Sequence, residues 1–135
     1  MQVGDCLQVG GPPDNPGANK VECGSLPSNF HVAAITGDAD RCPADVDSSF
    51  TIHSSFGTSG TTVCMDIDWV VGGCMSIDPE HHRDPVRVDC ADSTASNRQR
   101  ATQIIQKVGN VDQCATGLGY AYEQRQFTVC VAAVS

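Results

Sequence analysis

Eight cysteines fall into two matched sets of four, and each set is carried by the same short phrases. Val3-Gly4-Asp5-Cys6 returns as Val71-Gly72-Gly73-Cys74, Val21-Glu22-Cys23 as Val88-Asp89-Cys90, Asp40-Arg41-Cys42 as Asp112-Gln113-Cys114, and Thr62-Val63-Cys64 as Thr128-Val129-Cys130. Offsets of 68, 67, 72 and 66 residues describe one duplication with small changes in loop length. Residues 1–70 are read as a first repeat holding Cys6, Cys23, Cys42 and Cys64, and residues 71–135 as a second holding Cys74, Cys90, Cys114 and Cys130. The run Trp69-Val70-Val71-Gly72-Gly73-Cys74 leaves almost no linker. The repeats are therefore expected to dock closely, as one compact domain about an approximate twofold.

A unit of this length is marginal on a hydrophobic core alone and needs staples. Successive cysteine separations of 17, 19, 22, 10, 16, 24 and 16 contain no CxxC pair and no close Cys/His knuckle. That spacing argues against zinc and against a thioredoxin-like motif, and an even count in a short duplicated chain reads as a disulfide framework from an oxidising compartment. If each repeat closes on itself with the same connectivity, three schemes remain. The turn-rich insert at 10–19 favours first-to-second and third-to-fourth, giving Cys6/Cys23, Cys42/Cys64, Cys74/Cys90 and Cys114/Cys130. Paired thiols also leave no cysteine nucleophile.

Apolar and β-branched residues predict short strands at 5–9, 20–23, 29–35 and 61–69. Cys42-Pro43-Ala44-Asp45-Val46-Asp47 has the proline and acid of a first helical turn and predicts a short helix toward Phe50. Residues 98–105 have the composition and spacing of a helix, with Ala101, Ile104, Ile105 and Val108 in phase, yet they align with the strand at 30–35. Duplicated units keep their backbone while surface residues change, so the repeat outweighs propensity and predicts a strand here too. After Cys114, Gly117 and Gly119 shorten the second helix or make it irregular. The expected class is α+β: β-rich, with three to four short strands and a short helix in each repeat.

Net charge is -8, which disfavours nucleic acid and anionic membrane surfaces as partners. Residues 1–70 hold nine acidic groups against Lys20 and Arg41, or -7, while residues 71–135 hold seven against six basic, or -1. Either the solvated faces drifted after duplication or the halves face different partners. No signal peptide or membrane span is legible after Met1, so a chain bearing cystines is expected to be exported by a signal upstream.

The densest cluster of chemical side chains is Asp78-Pro79-Glu80-His81-His82-Arg83-Asp84-Pro85. Imidazole and carboxylate suit a divalent metal, but neighbours on a proline-flanked turn rarely converge on one ion, so a solvated loop is the expectation. Asp66 and Asp68 stand two apart on a predicted strand and should share one face before Trp69. Such a pair could hold calcium or do acid-base work; an outward-facing polar edge is the simpler reading. His31 and His53 are single and read as structural. With no serine elbow and no phosphate loop, no catalytic residue, metal or cofactor is expected.

The Val-Gly-Asp-Cys-Leu opening, Cys42-Pro43-Ala44-Asp45-Val46-Asp47, Val63-Cys64-Met65-Asp66-Ile67-Asp68-Trp69, Asp84-Pro85-Val86-Arg87-Val88 and Gly117-Leu118-Gly119-Tyr120-Ala121-Tyr122 resemble the LppU family of mycobacterial cell-envelope lipoproteins. More broadly, Gly-Asp-Cys followed by Val-Xaa-Cys is similar to exported, cysteine-rich actinobacterial domains of the septum-formation-like kind. The resemblance implies an extracytoplasmic place, with membrane attachment only through a lipid-modified cysteine upstream. It implies no activity. Gly73, where the first repeat has Asp5, departs from the phrase, so that aspartate has no role needed in both halves.

The function expected is a non-catalytic interaction module for a cell-envelope protein or small ligand, with Asp66, Asp68, Trp69, His81 and His82 as a possible interaction surface. A lipid or small-molecule carrier, which would need an apolar cavity, and a hydrolase using Asp66, Asp68 or His81 are the alternatives.

Overall fold

The computed structural model describes residues 2–10, 17–53, 60–80 and 83–134. Ten strands run in chain order: β1 (Cys6–Gly10), β2 (Gly17–Val21), β3 (Phe30–Thr36), β4 (Ser48–His53), β5 (Gly60–Ile67), β6 (Cys74–Ser76), β7 (Val86–Val88), β8 (Arg98–Gln106), β9 (Gly119–Tyr122) and β10 (Phe127–Ala133). They make two five-stranded antiparallel sheets, ordered β2-β1-β3-β5-β4 and β7-β6-β8-β10-β9. Strand for strand the orders are the same, so the repeated phrases encode a repeated topology.

The likeness extends to backbone detail. Gly4 and Gly72, the glycines of the opening phrase, have φ of +95° and +90°, a region that side chains with a Cβ avoid. At the first corner Gly4 N–H donates to Val32 O and Val32 N–H to Asp5 O; at the second, Gly72 N–H donates to Ala101 O and Ala101 N–H to Gly73 O. Each central pairing carries a register shift at the same place. Ala34 faces Cys64 and Val32 faces Met65, leaving Ala33 over, and Gln103 faces Cys130 while Ala101 faces Val131, leaving Thr102 over. A bulge of this kind adds local twist to the sheet.

Four disulfides join Cys6 to Cys23, Cys42 to Cys64, Cys74 to Cys90 and Cys114 to Cys130, the pairing favoured by the spacing argument. The first of each pair ties the opening strand to the end of its hairpin partner. The second anchors the loop before the fourth strand to the buried fifth, where Cys64 and Cys130 have no exposed surface. Four cystines are consistent with an extracytoplasmic location.

The α+β expectation is corrected: each unit has five strands, and among the described residues the helical ones are a single 3-10 turn, Ala39–Arg41. Where a helix toward Phe50 was expected, the chain makes a turn closed by Val46 N–H to Pro43 O and then enters β4. Asp47 N–H is taken by Met65 O, and the carboxylates that would have favoured a helix start bond to distant groups instead. Phe50, Thr51 and Ile52 supply the β-branched and aromatic content of the strand. After Cys114 the chain turns at Gly117 and enters β9 without a helix. The segment at 98–105 is a strand, as its alignment with 30–35 required.

One apolar cluster joins the halves. Leu7, Phe30, Val32, Val63, Met65, Ile67 and Trp69 from the first pack with Met75, Ile77, Ala101, Tyr122, Val129 and Val131 from the second. Trp69 stacks on Tyr120 at 5.5 Å between centroids and Tyr122 on Phe127 at 4.3 Å, so much of the scarce aromatic content lies at or near this junction.

Candidate functional site: the seam between the halves

Two polar clusters hold the seam, one built from three aspartates of the first half and one from a single aspartate, each with one arginine of the second. In the larger, Arg125 comes from the turn between β9 and β10. Its Nη1 donates to Asp66 Oδ2 at 2.6 Å and its Nη2 to Asp66 Oδ1 at 2.8 Å. Its Nε donates to Asp45 Oδ1 at 2.8 Å and its backbone N–H to Asp45 Oδ2 at 3.0 Å. The guanidinium also lies over the rings of Tyr122 and Phe127, at 5.4 and 5.3 Å from their centroids. Beside it, Asp47 Oδ2 accepts from Tyr122 Oη at 2.6 Å and from Ile67 N–H at 2.8 Å.

In the smaller cluster, Arg87 on β7 donates Nη2 to Asp68 Oδ2 at 3.0 Å and Nε to Ser28 O at 3.2 Å. Asp68 Oδ2 accepts in addition from Ser28 Oγ at 2.6 Å and Gly24 N–H at 2.8 Å. Asn29 Nδ2 crosses the seam to Pro85 O at 2.9 Å.

Electrostatics follow from this arrangement. Burial pushes the Asp47 carboxyl up, against the opposing pull of the Tyr122 hydroxyl and the Ile67 amide. Desolvation acts the same way on Asp45 but is outweighed by the Arg125 amide and guanidinium, which hold that carboxyl below its ordinary value. Arg125 is held above its ordinary value, first by its bonds to Asp66. The Tyr122 phenol is pushed far up by burial and by the adjacent Asp47. The charge asymmetry between the halves thus has an internal use: three of the nine acidic groups in the first half, Asp45, Asp66 and Asp68, bond to two of the six cations in the second.

Asp66 and Asp68, expected at an outward-facing edge, and Trp69, named with them as a possible interaction surface, are instead buried, at 2%, 7% and 8% exposure. Carboxylates at such depth persist only with a cation and hydrogen bonds to compensate, which Arg125 and Arg87 supply. The two do not act together: β5 ends at Ile67, and Asp66 reaches one cluster while Asp68 reaches the other. Both Asp66 oxygens accept from Arg125, and Asp68 Oδ2 accepts from Gly24, Ser28 and Arg87. His31 Nε2 lies 3.8 Å from Asp66 Oδ2. His53 closes β4. His81 and His82 lie outside the described residues. Asp78, near them in sequence, is 3.7 Å from Arg83 and accepts from Glu80 N–H at 3.0 Å. Among the described residues no group of three or more His, Cys, Asp or Glu side chains is placed to hold a metal ion.

Hollows open along the seam. A pocket of about 190 Å³ lies between Phe30 and Ile67 on one side and Ile77 and Tyr120 on the other, with Asp47 and Asp84 in its wall. Partial burial pushes the Asp84 carboxyl up. A larger, open groove of about 620 Å³ is walled by Val9, Leu26 and Pro27 from the first half and by Val86 and Val88 from the second, with Asp89 and Asp92 contributing carboxylates. Leu26 and Val86 are 70% and 56% exposed.

Arg87, Arg125, Asp45 and Tyr122 were not singled out by the sequence reading as site residues, although a signal existed. Asp66 and Asp68 stand two and four residues after Cys64, and the same places after Cys130 hold Ala132 and Val134. Asp68 N–H donates to Asn29 O just as Val134 N–H donates to Arg98 O, so the backbones match while the charges do not. Comparison with protein-family models, with curated proteins and with solved structures gave no match in any of the three.

Proposed function

We propose that this chain is a non-catalytic binding module of an exported protein of the cell-envelope lipoprotein kind, and that it engages its partner in the open groove along the seam. The observation that carries the reading is the pairing, in one hollow, of exposed Leu26 and Val86 from opposite halves, while the buried carboxylates nearby are consumed by Arg87 and Arg125. Exposed apolar side chains converging across a junction are a feature of interaction sites. Cystines brace each wall and the charge-locked seam holds the two in register, which lowers the ordering cost of binding. The disulfide framework and the resemblance in the cysteine phrases support placement outside the cytoplasm, attached by lipid upstream.

The carrier alternative is less well supported. The pocket between Phe30 and Tyr120, at about 190 Å³, is smaller than the roughly 300–1,000 Å³ of sites that engulf small molecules and has carboxylates in its wall, and the groove of about 620 Å³ is open to solvent and does not enclose a ligand.

Immobilised protein incubated with cell-envelope extract tests the reading. Components retained by the native chain should be lost from a Leu26→Glu, Val86→Glu double variant that keeps the native circular dichroism spectrum. Equal retention by both would place binding elsewhere and overturn it.

A further inference from the structure

The groove can be assigned a class of occupant, an assignment that rests on the reading of this face as the binding site. β7 is the outermost strand of its sheet and is paired on one side, by β6. An edge strand leaves alternate N–H and C=O groups without ladder partners, which makes it a template for a further strand. The first half caps this edge at its start, where Pro85 O accepts from Asn29 Nδ2, and beyond that point residues 86–88 line the groove.

Charge narrows the choice. The guanidinium of Arg87 is taken by Asp68 and Ser28. The groove's carboxylates, in contrast, are met by neutral donors: Asp89 Oδ1 by Ala91 N–H at 2.9 Å, Asp92 Oδ1 by the Thr94 amide and hydroxyl at 3.0 and 2.6 Å. The hollow therefore offers in one place an unpaired main-chain edge, apolar walls and two carboxylates whose hydrogen-bond donors are neutral.

We propose that the groove takes an extended segment of a partner protein in which apolar residues alternate with lysine or arginine, added as an outer strand along β7. Main-chain bonds to β7 supply affinity that any sequence could share. Apolar side chains seated between Leu26 and Val86 and cations beside Asp89 and Asp92 supply the selection.

The test uses the full chain and a capped pentapeptide alternating lysine with isoleucine, compared with its glutamate-isoleucine counterpart, with a copy N-methylated on alternate amides, and with a simple alkylammonium ion. Amide shifts at 26–29 and 86–92 in nitrogen-15 spectra report the site. The basic peptide should shift these amides and bind about ten-fold or more tighter than each of the other three probes. The double substitution Asp89→Asn, Asp92→Asn should remove most of its advantage over the acidic peptide, while Leu26→Ser should weaken both.

Three results would overturn the proposal: no shift at these residues, equal binding of the N-methylated peptide or the alkylammonium ion, or the same shifts appearing on concentration alone as the chain self-associates. If the peptides fail while the native chain still retains an envelope component that the Leu26→Glu, Val86→Glu variant loses, the groove remains the binding face and only the class of occupant falls.

Discussion

Arg125 grips Asp66 through two parallel hydrogen bonds, 2.6 and 2.8 Å long, across the junction of the two repeats. A fork-to-fork pair fixes orientation as well as distance, so this contact holds the turn before β10 against β5 in a defined orientation. His31 Nε2 stands 3.8 Å from the same carboxylate.

Arg125→Met keeps the length of the side chain and removes its charge, leaving Asp66 and Asp45 without their cation. The expected loss is about 3–5 kcal/mol in urea denaturation, the scale for stranding a buried charge. Adding Asp66→Asn should recover part of it, since the amide needs no counter-charge. A double variant no more stable than Arg125→Met alone would show that Asp66 is not the group being compensated.

Asp45 and Asp47 should respond to pH in opposite senses. Asp45 is held below 3.8, so its contribution is present above that value and is lost as pH falls through the lower folded value. Asp47 is held above 3.8, so its contribution is complete below that value and is lost as pH rises through the higher folded value. Denaturation midpoints across the acidic range should fall less steeply at the acid end in Asp45→Asn. In Asp47→Asn the decline with rising pH just above 3.8 should flatten. A native-like slope in both variants would contradict these assignments.

Native protein should resist alkylation by iodoacetamide at all eight cysteines, since none is free, and should take up the reagent only after reduction. Replacing Cys114 and Cys130 together by alanine closes no loop in the second repeat's far half and should cost about 3 kcal/mol. Mass spectrometry of the alkylated protein and denaturation of the variant give the two readings. Alkylation of unreduced protein would defeat the pairing.

Two glycines should differ in their tolerance of alanine. A Cβ at Gly72 meets nothing within 4 Å, so Gly72→Ala carries the backbone cost alone, about 1–2 kcal/mol at its φ of +90°. A Cβ at Gly119 would stand 2.5 Å from Val129 O, a backbone atom of the neighbouring strand, so β9 must part from β10. Thermal denaturation should rank Gly119→Ala as the more damaging change. The opposite order would mean that β9 yields more easily than its pairing implies.

The duplication made most of the scaffold legible. Aligning 98–105 with 30–35 identified a strand in residues whose own preferences favour a helix, because a repeated backbone constrains each copy more than local propensity does. The same alignment carried the cysteine pairing. It failed at 42–50, where proline and aspartate mimic a helix start while Asp45 and Asp47 answer partners about 80 residues away in sequence, which no local window contains. The seam was half legible. The imbalance of charge between the copies was visible, but its meaning depends on which faces meet, and that is decided by the shared apolar cluster around Trp69 and Met75.

A pair of copies that began alike has become a lock and its key. With Asp66 and Asp68 on one and Ala132 and Val134 at the matching places on the other, two first units set face to face would press acid against acid, and two second units would have nothing for Arg87 and Arg125 to hold. Divergence has worked as a ratchet: a gene trimmed back to either unit would encode a fragment with orphaned charges, so the doubled form can no longer be undone without cost.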